Sequence, residues 1–130
     1  MILRSTTALL DTCVLIDVLR GKEAAAAFVF GLPDTPALSA VTVMELFAGC
    51  RNARERDRID GLLSLCAIHD VNRAIAAIAG DYVRQFGPSH GTDPIDALIA
   101  ATAKAHGLPL ATLNLKHFPM FAGLDRPYLE

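Results

Sequence analysis

The chain is short of cysteine, of net charge and of long apolar runs, and each shortage argues against a class of protein. Its three cysteines, Cys13, Cys50 and Cys66, are odd in number, widely spaced and contain no Cys-x-x-Cys pair. That argues against a disulfide framework or a cysteine zinc site, and their apolar neighbours predict buried free thiols. No apolar run reaches the ~18 residues a membrane span needs. The apolar residues 1–3 give way to Arg4 and then to Asp11, too soon for the apolar region of a signal peptide. A cytoplasmic protein is therefore expected. The formal net charge is −2, which argues against gripping nucleic acid through bulk positive charge, though local binding depends on where charges sit. There is no phosphate-cradling glycine loop, no glycine-rich turn after the first expected strand, no internal repeat and no low-complexity linker.

What remains is a chain of 130 residues, 52% hydrophobic and 20% charged. That composition predicts one globular domain over residues 1–130. Much of the apolar content is alanine. Small side chains let helices pack closely but bury little area each, which leaves apolar surface for a partner. Four short apolar segments read as strands, at residues 7–11, 37–41, 65–70 and 108–112. Helical patterning covers residues 14–30 (broken near Gly21), 43–50, 53–63, 72–86 and 94–106. In the last, Ile95, Leu98, Ile99 and Thr102 share one face. Gly31, Pro33 and Pro36 mark one loop, and Gly87, Pro88 and Gly91 another; Gly107 and Pro109 stop the final helix. Strands alternating with helices predict a parallel sheet covered on both faces, a three-layer α/β/α fold. Residues 127–130 would add an edge strand, giving four to five strands in all.

In an open parallel sheet, ligands bind beyond the carboxyl ends of the strands. Asp11 ends the first strand there, Glu45 follows the second, Asp93 and Asp96 open the helix before the fourth, and Asn114 follows the fourth. Each acid also fits a structural role. Thr42 and Glu45 have the spacing of a capping box, and Asp93 before Pro94 is a good N-cap that puts Asp96 in the first turn. Together, however, two carboxylates ~4 Å apart repel by about 4 kcal/mol at an effective dielectric near 20. A divalent cation, Mg²⁺ or Mn²⁺, relieves that repulsion and prefers oxygen ligands. Such a site can activate water and orient a phosphodiester.

These residues lie in recognisable motifs. Asp11-Thr12-Cys13-Val14-Leu15-Ile16-Asp17 resembles the opening motif of PIN-domain nucleases, and Val43-Met44-Glu45-Leu46 their second. Asp96-Ala97-Leu98-Ile99-Ala100-Ala101-Thr102-Ala103 is similar to the third, and Leu110-Ala111-Thr112-Leu113-Asn114 with Lys116-His117-Phe118 to the fourth. Order, spacing and length resemble the VapC-type toxins of bacterial toxin–antitoxin pairs. The resemblance implies a PIN-like fold, a Mg²⁺- or Mn²⁺-dependent endoribonuclease, and a homodimer held inactive by a small antitoxin of VapB type. It implies Asp11, Glu45 and Asp96 as metal-binding carboxylates. Asn114 stands where the family often has a fourth acid and brings no charge, so one firmly held metal is expected. Thr12, Asp93 and Thr112 are auxiliary candidates, and Lys116 and His117 are candidate contacts to the RNA backbone.

Other features carry plainer readings. Arg51, Arg54, Arg56 and Arg58 alternate with Glu55, Asp57 and Asp60, as on a solvated helix face or an RNA or antitoxin contact. His69, His90 and His106 show no ligand spacing. Phe47, Phe86, Phe118 and Phe121 read as core or dimer interface. Alanines beside Phe28 and Phe30 suggest a groove for a partner helix or peptide. A phosphatase with an aspartyl nucleophile would want an acid where Cys13 stands. A receiver domain would want an acidic pair near the end of the first strand, where Ser5, Thr6 and Thr7 precede Asp11 instead. The rival of another class is an inert PIN-like scaffold that acts only by binding a partner.

Overall fold

Leu9 and Leu10 are both fully buried although successive strand side chains point to opposite faces. A strand buried on both faces needs a helical layer on each. The computed structural model describes residues 8–129 and supplies both layers. The strands are β1 (Leu9–Leu10), β2 (Ala37–Ser39), β3 (Ala67–His69) and β4 (Leu110–Ala111). They form one parallel sheet in the order β3-β2-β1-β4, with Leu9 opposite both Ala37 and Leu110. The helices are α1 (Thr12–Leu19), α2 (Glu23–Phe30), α3 (Ala40–Ala48), α4 (Ala53–Leu63), α5 (Arg73–His90) and α6 (Pro94–Ala105). The expected three-layer α/β/α architecture is what the structure has.

The alternation along the strands sorts the core. Leu10 and Leu38 pack against Val14, Leu15, Leu46, Ile59 and Leu62 from α1, α3 and α4. Leu9 and Ala37 pack against Ile99, Ala100 and Ala103 of α6. Alanines on α6 bring it close to the sheet and to α5, where Ala97 and Ala101 meet Ile75 and Ala79. Each fully buried leucine contributes roughly 1.5–3 kcal/mol. The break expected near Gly21 is present: Gly21 has φ +80°, a conformation that separates α1 from α2 and favours glycine.

Several expectations need correction. The second expected strand, 37–41, is cut short because Ser39 caps α3, its hydroxyl accepting the Val41 N–H at 3.1 Å. α3 therefore starts before Thr42, so Thr42 and Glu45 form no capping box; both lie inside the helix. The third strand is an edge strand, and Ala67 and Ile68 are exposed, not buried on both faces. Residues 87–90, expected as loop, continue α5 through Pro88. Proline here forfeits one hydrogen bond close to the helix end, and Gly91, at φ +69°, is the true stop. Residues 127–129 form no fifth strand. Instead the Tyr128 hydroxyl donates to Asp17 Oδ2 at 2.8 Å, and its ring packs on Phe28. Glu130 and Thr7, the ends of two expected strands, lie outside the described residues. All three cysteines are half-buried, not fully enclosed.

Candidate active site

β1 runs straight into α1 through Asp11, which is only 4% exposed. Its backbone is extended, and its side chain caps the helix, Oδ1 accepting the Thr12 N–H at 2.8 Å. Oδ2 accepts the Thr112 hydroxyl proton at 2.7 Å and faces Cys13 Sγ at 3.5 Å. The register brings these groups together: β1 pairs with β4, and Leu10 opposite Ala111 places Asp11 beside Thr112. Thr112 also accepts the Asn114 N–H at 3.0 Å. Burial pushes the Asp11 carboxyl up, while the hydrogen bonds from Thr112, Cys13 and the Thr12 N–H restrain it; the Asp93 charge adds to the rise. Burial, with the Asp11 charge behind it, pushes the Cys13 thiol up to about 12. Cys13 is thus a neutral S–H beside the carboxylate, not a nucleophile.

Glu45 reaches the same edge from α3. Its Oε1 accepts the Thr12 hydroxyl proton at 2.5 Å. Thr12 Oγ1 in turn lies 3.0 Å from Thr42 Oγ1, which is fully buried. The three residues form one chain of hydroxyls leading to a carboxylate.

Asp96 comes from the start of α6, whose N-terminus points to the carboxyl edge because α6 runs back to feed β4. The N-cap expected at Asp93 is present, and it is one half of a capping box: Asp93 Oδ1 accepts the Asp96 N–H at 2.8 Å, and Asp96 Oδ2 faces the Asp93 N–H at 3.4 Å. His117 Nδ1 stands 3.3 Å from Asp96 Oδ2. The Thr92 hydroxyl holds the His117 carbonyl at 2.7 Å, so the loop before α6 and the turn after β4 are tied together. Burial raises the Asp96 carboxyl to about 6; the Asp93 and Asp11 charges push the same way, and the Asp93 N–H and His117 oppose them. Asn114 and Lys116 are exposed beyond β4, in and beside a single 3₁₀ turn (Leu115–His117).

Asp11, Glu45, Asp93 and Asp96 thus share one edge, linked through Thr12, Thr112 and His117. They are not closed around one point. Among the described residues, no three His, Cys, Asp or Glu side chains stand as a ready set of metal ligands. The chemistry of the donors nevertheless suits a hard divalent cation. They are carboxylate oxygens, and Asp11 and Asp96 carry negative charge that desolvation and neighbouring carboxylates make costly.

Beside Glu45 a cavity of about 690 Å³ opens between α1, α3 and α4. Ile16, Leu19, Leu46 and Ile59 supply its apolar lining, with Arg20 and Arg58 among its charged groups. Of the groove expected beside Phe28 and Phe30, Phe28 is packed on Tyr128, while Phe30 lines a separate cavity of about 300 Å³ with Val29, Leu32 and Leu65. The arginines of the charge run are mostly engaged. Arg51 pairs with Glu55, Arg58 reaches the Leu19 carbonyl, and Arg56 lies over the Phe47 ring at 4.4 Å. His69 and His106, which showed no ligand spacing, stack on each other with ring centroids 3.7 Å apart. No helix among the described residues is long and apolar enough to cross a membrane.

Comparison with known proteins settles the family. A PIN-domain model matches residues 8–123, nearly all of the chain. The chain belongs to the PIN-domain family. This PIN domain is 43% identical over 123 residues to a Mycobacterium tuberculosis protein named Ribonuclease VapC10, covering 92% of each. It is 39% identical over 124 residues to Ribonuclease VapC19 of the same organism, covering 92% of this chain and 98% of that one. Among solved structures it resembles a chain of a toxin–antitoxin complex from Klebsiella pneumoniae, with TM-score 0.82 and 31% identity over 94% of this chain and 98% of that chain.

Proposed function

We propose that this PIN domain is an endoribonuclease of the VapC type, the toxin of a toxin–antitoxin pair, and that it depends on Mg²⁺ or Mn²⁺. One observation carries the reading beyond kinship: the buried Asp11 and the half-buried Asp96 face one edge, and desolvation together with neighbouring carboxylates, Asp93 beside Asp11, and Asp93 and Asp11 beside Asp96, makes their ionisation costly. When bound, the cation supplies an activated water and a clamp for phosphodiester oxygens. Asp11, Glu45 and Asp96 would hold it. Thr112, Cys13 and the Thr12 N–H fix the Asp11 carboxylate in one orientation. Asp93, through its cap, fixes the first turn that carries Asp96. Asn114 would orient water or substrate, and Lys116 and His117 would meet the RNA backbone.

The cavity beside Glu45 would take a segment of a small antitoxin, because its apolar lining is flanked by arginines and adjoins the active edge. A homodimer acting on cytoplasmic RNA completes the proposal. The rival reading, a scaffold that binds a partner without cutting, is favoured by the capping roles of Asp11 and Asp93. Incubation of the purified protein with RNA separates the two. Cleavage that stops in chelator, returns with Mn²⁺ or Mg²⁺, and is lost in Asp11→Asn supports the nuclease. Equal cleavage by Asp11→Asn, or cleavage undisturbed by chelator, overturns it.

A further inference from the structure

Thr42, a residue with no part in the roles assigned above, makes a buried polar contact at the active edge. Thr42 is fully buried on α3, one turn before Glu45. A hydroxyl has one proton to give. The Thr12 proton goes to Glu45 Oε1 at 2.5 Å, since a carboxylate can only accept. At its 3.0 Å contact with Thr42, Thr12 must therefore be the acceptor and Thr42 the donor. The chain has a direction: Thr42 to Thr12 to Glu45. A threonine inside a helix commonly returns its proton to the carbonyl four residues back, as Thr102 does to Leu98 at 2.7 Å. Thr42 instead sends its proton across to α1.

We propose that Thr42 is a positioning residue that orients the Thr12 hydroxyl onto Glu45 and so holds this carboxylate at the edge shared with Asp11. The contact joins α3, which carries Glu45, to the start of α1, which follows Asp11, and lies behind the Thr12–Glu45 bond that joins the same two helices. A donor behind Thr12 also polarises it and makes it a stronger donor to Glu45. The proposal rests on Glu45 serving the cation-dependent reaction described above.

The test compares Thr42→Val, which removes the hydroxyl at nearly the same shape, with Thr42→Ser, which keeps it. Residues behind metal ligands typically cost 10–100-fold in metal affinity or activity when lost. Thr42→Val should lower kcat, and weaken Mn²⁺ binding measured by electron paramagnetic resonance, within that range. Thr42→Ser should restore both, and KM for RNA should stay within about twofold in each. Wild-type kcat and Mn²⁺ affinity in Thr42→Val overturn the proposal, as does a Thr42→Ser as impaired as Thr42→Val. A crystal structure of Thr42→Val gives a readout independent of nuclease activity: Glu45 should leave Thr12. A Glu45 still bonded to Thr12 refutes the positioning role even if the wild type cuts RNA. A wild type that neither binds Mn²⁺ nor cuts refutes the functional reading, while a displaced Glu45 would still uphold the positioning role.

Discussion

Thr112 Oγ1 lies 2.7 Å from Asp11 Oδ2, joining two residues 101 positions apart across the β1–β4 pairing. Because Thr112 also accepts the Asn114 N–H, its proton is directed at Asp11. Asp11 thus enters the active edge as an oriented carboxylate with one oxygen committed to the helix cap. The other oxygen is steadied from β4.

Removing that hydroxyl should be felt in function more than in fold. Thr112→Val is expected to lower RNA cleavage by roughly 10–100-fold, and Thr112→Ser to keep most of it. Steady-state cleavage of one RNA by the three proteins checks this. Comparable loss in both variants would assign Thr112 to packing alone.

Asp96 makes stability depend on pH in a stated direction. Its carboxyl sits at about 6 in the folded protein against an ordinary 3.8, chiefly because it is buried. The folded state therefore holds a proton that the unfolded chain has already lost. The stabilising contribution is complete below the ordinary value and is lost as pH rises through about 6. Asp96→Asn, which cannot ionise, should melt a few degrees above the metal-free wild type at about pH 7.5 and lose that advantage in acid. Thermal melts across pH check the crossover; an unchanged difference would reject the cause.

Cation addition should reverse that ranking. A ligand that binds only the folded state at 100 times its dissociation constant adds about 2.7 kcal/mol. Mn²⁺ should raise the melting temperature of the wild type and leave Asp96→Asn nearly unmoved. Equal shifts in both proteins would mean that the ion binds elsewhere.

Asp93 should behave as a cap before it behaves as a ligand. Its side chain accepts the Asp96 N–H, and the reciprocal contact completes the box. Asp93→Ala is expected to cost about 0.5–2 kcal/mol of stability, with cleavage reduced less than in Asp96→Asn. Denaturant unfolding and cleavage measured together check it. Loss of cleavage as complete as in Asp96→Asn, with stability intact, would make Asp93 a ligand.

Much of this site can be read in the residues themselves. Asp11 stands out because a carboxylate directly after a buried strand is costly without partners. Asp93-Pro94 announces a helix start, so Asp96 is placed correctly. Thr42 and Glu45 mislead because Thr-x-x-Glu is equally the signature of a cap and of two residues sharing a face inside a helix. Ser39 decides between them by capping three residues earlier. What local pattern cannot hold is contact across elements. The Thr42–Thr12 and Thr112–Asp11 bonds depend on helix placement and sheet register, which no window of neighbouring residues encodes. Nor does it hold context: Pro88 reads as a loop until the helix end at Gly91 makes its missing bond cheap. Ile68 reads as core until β3 proves to be the sheet edge.

The most direct test of the central claim is cleavage-site mapping on total RNA, with wild type and Asp96→Asn side by side in Mn²⁺. Discrete new 5′ or 3′ ends with the wild type, absent with Asp96→Asn, are the expected result. The same ends in both samples, or none from a folded, Mn²⁺-loaded wild type, would contradict it.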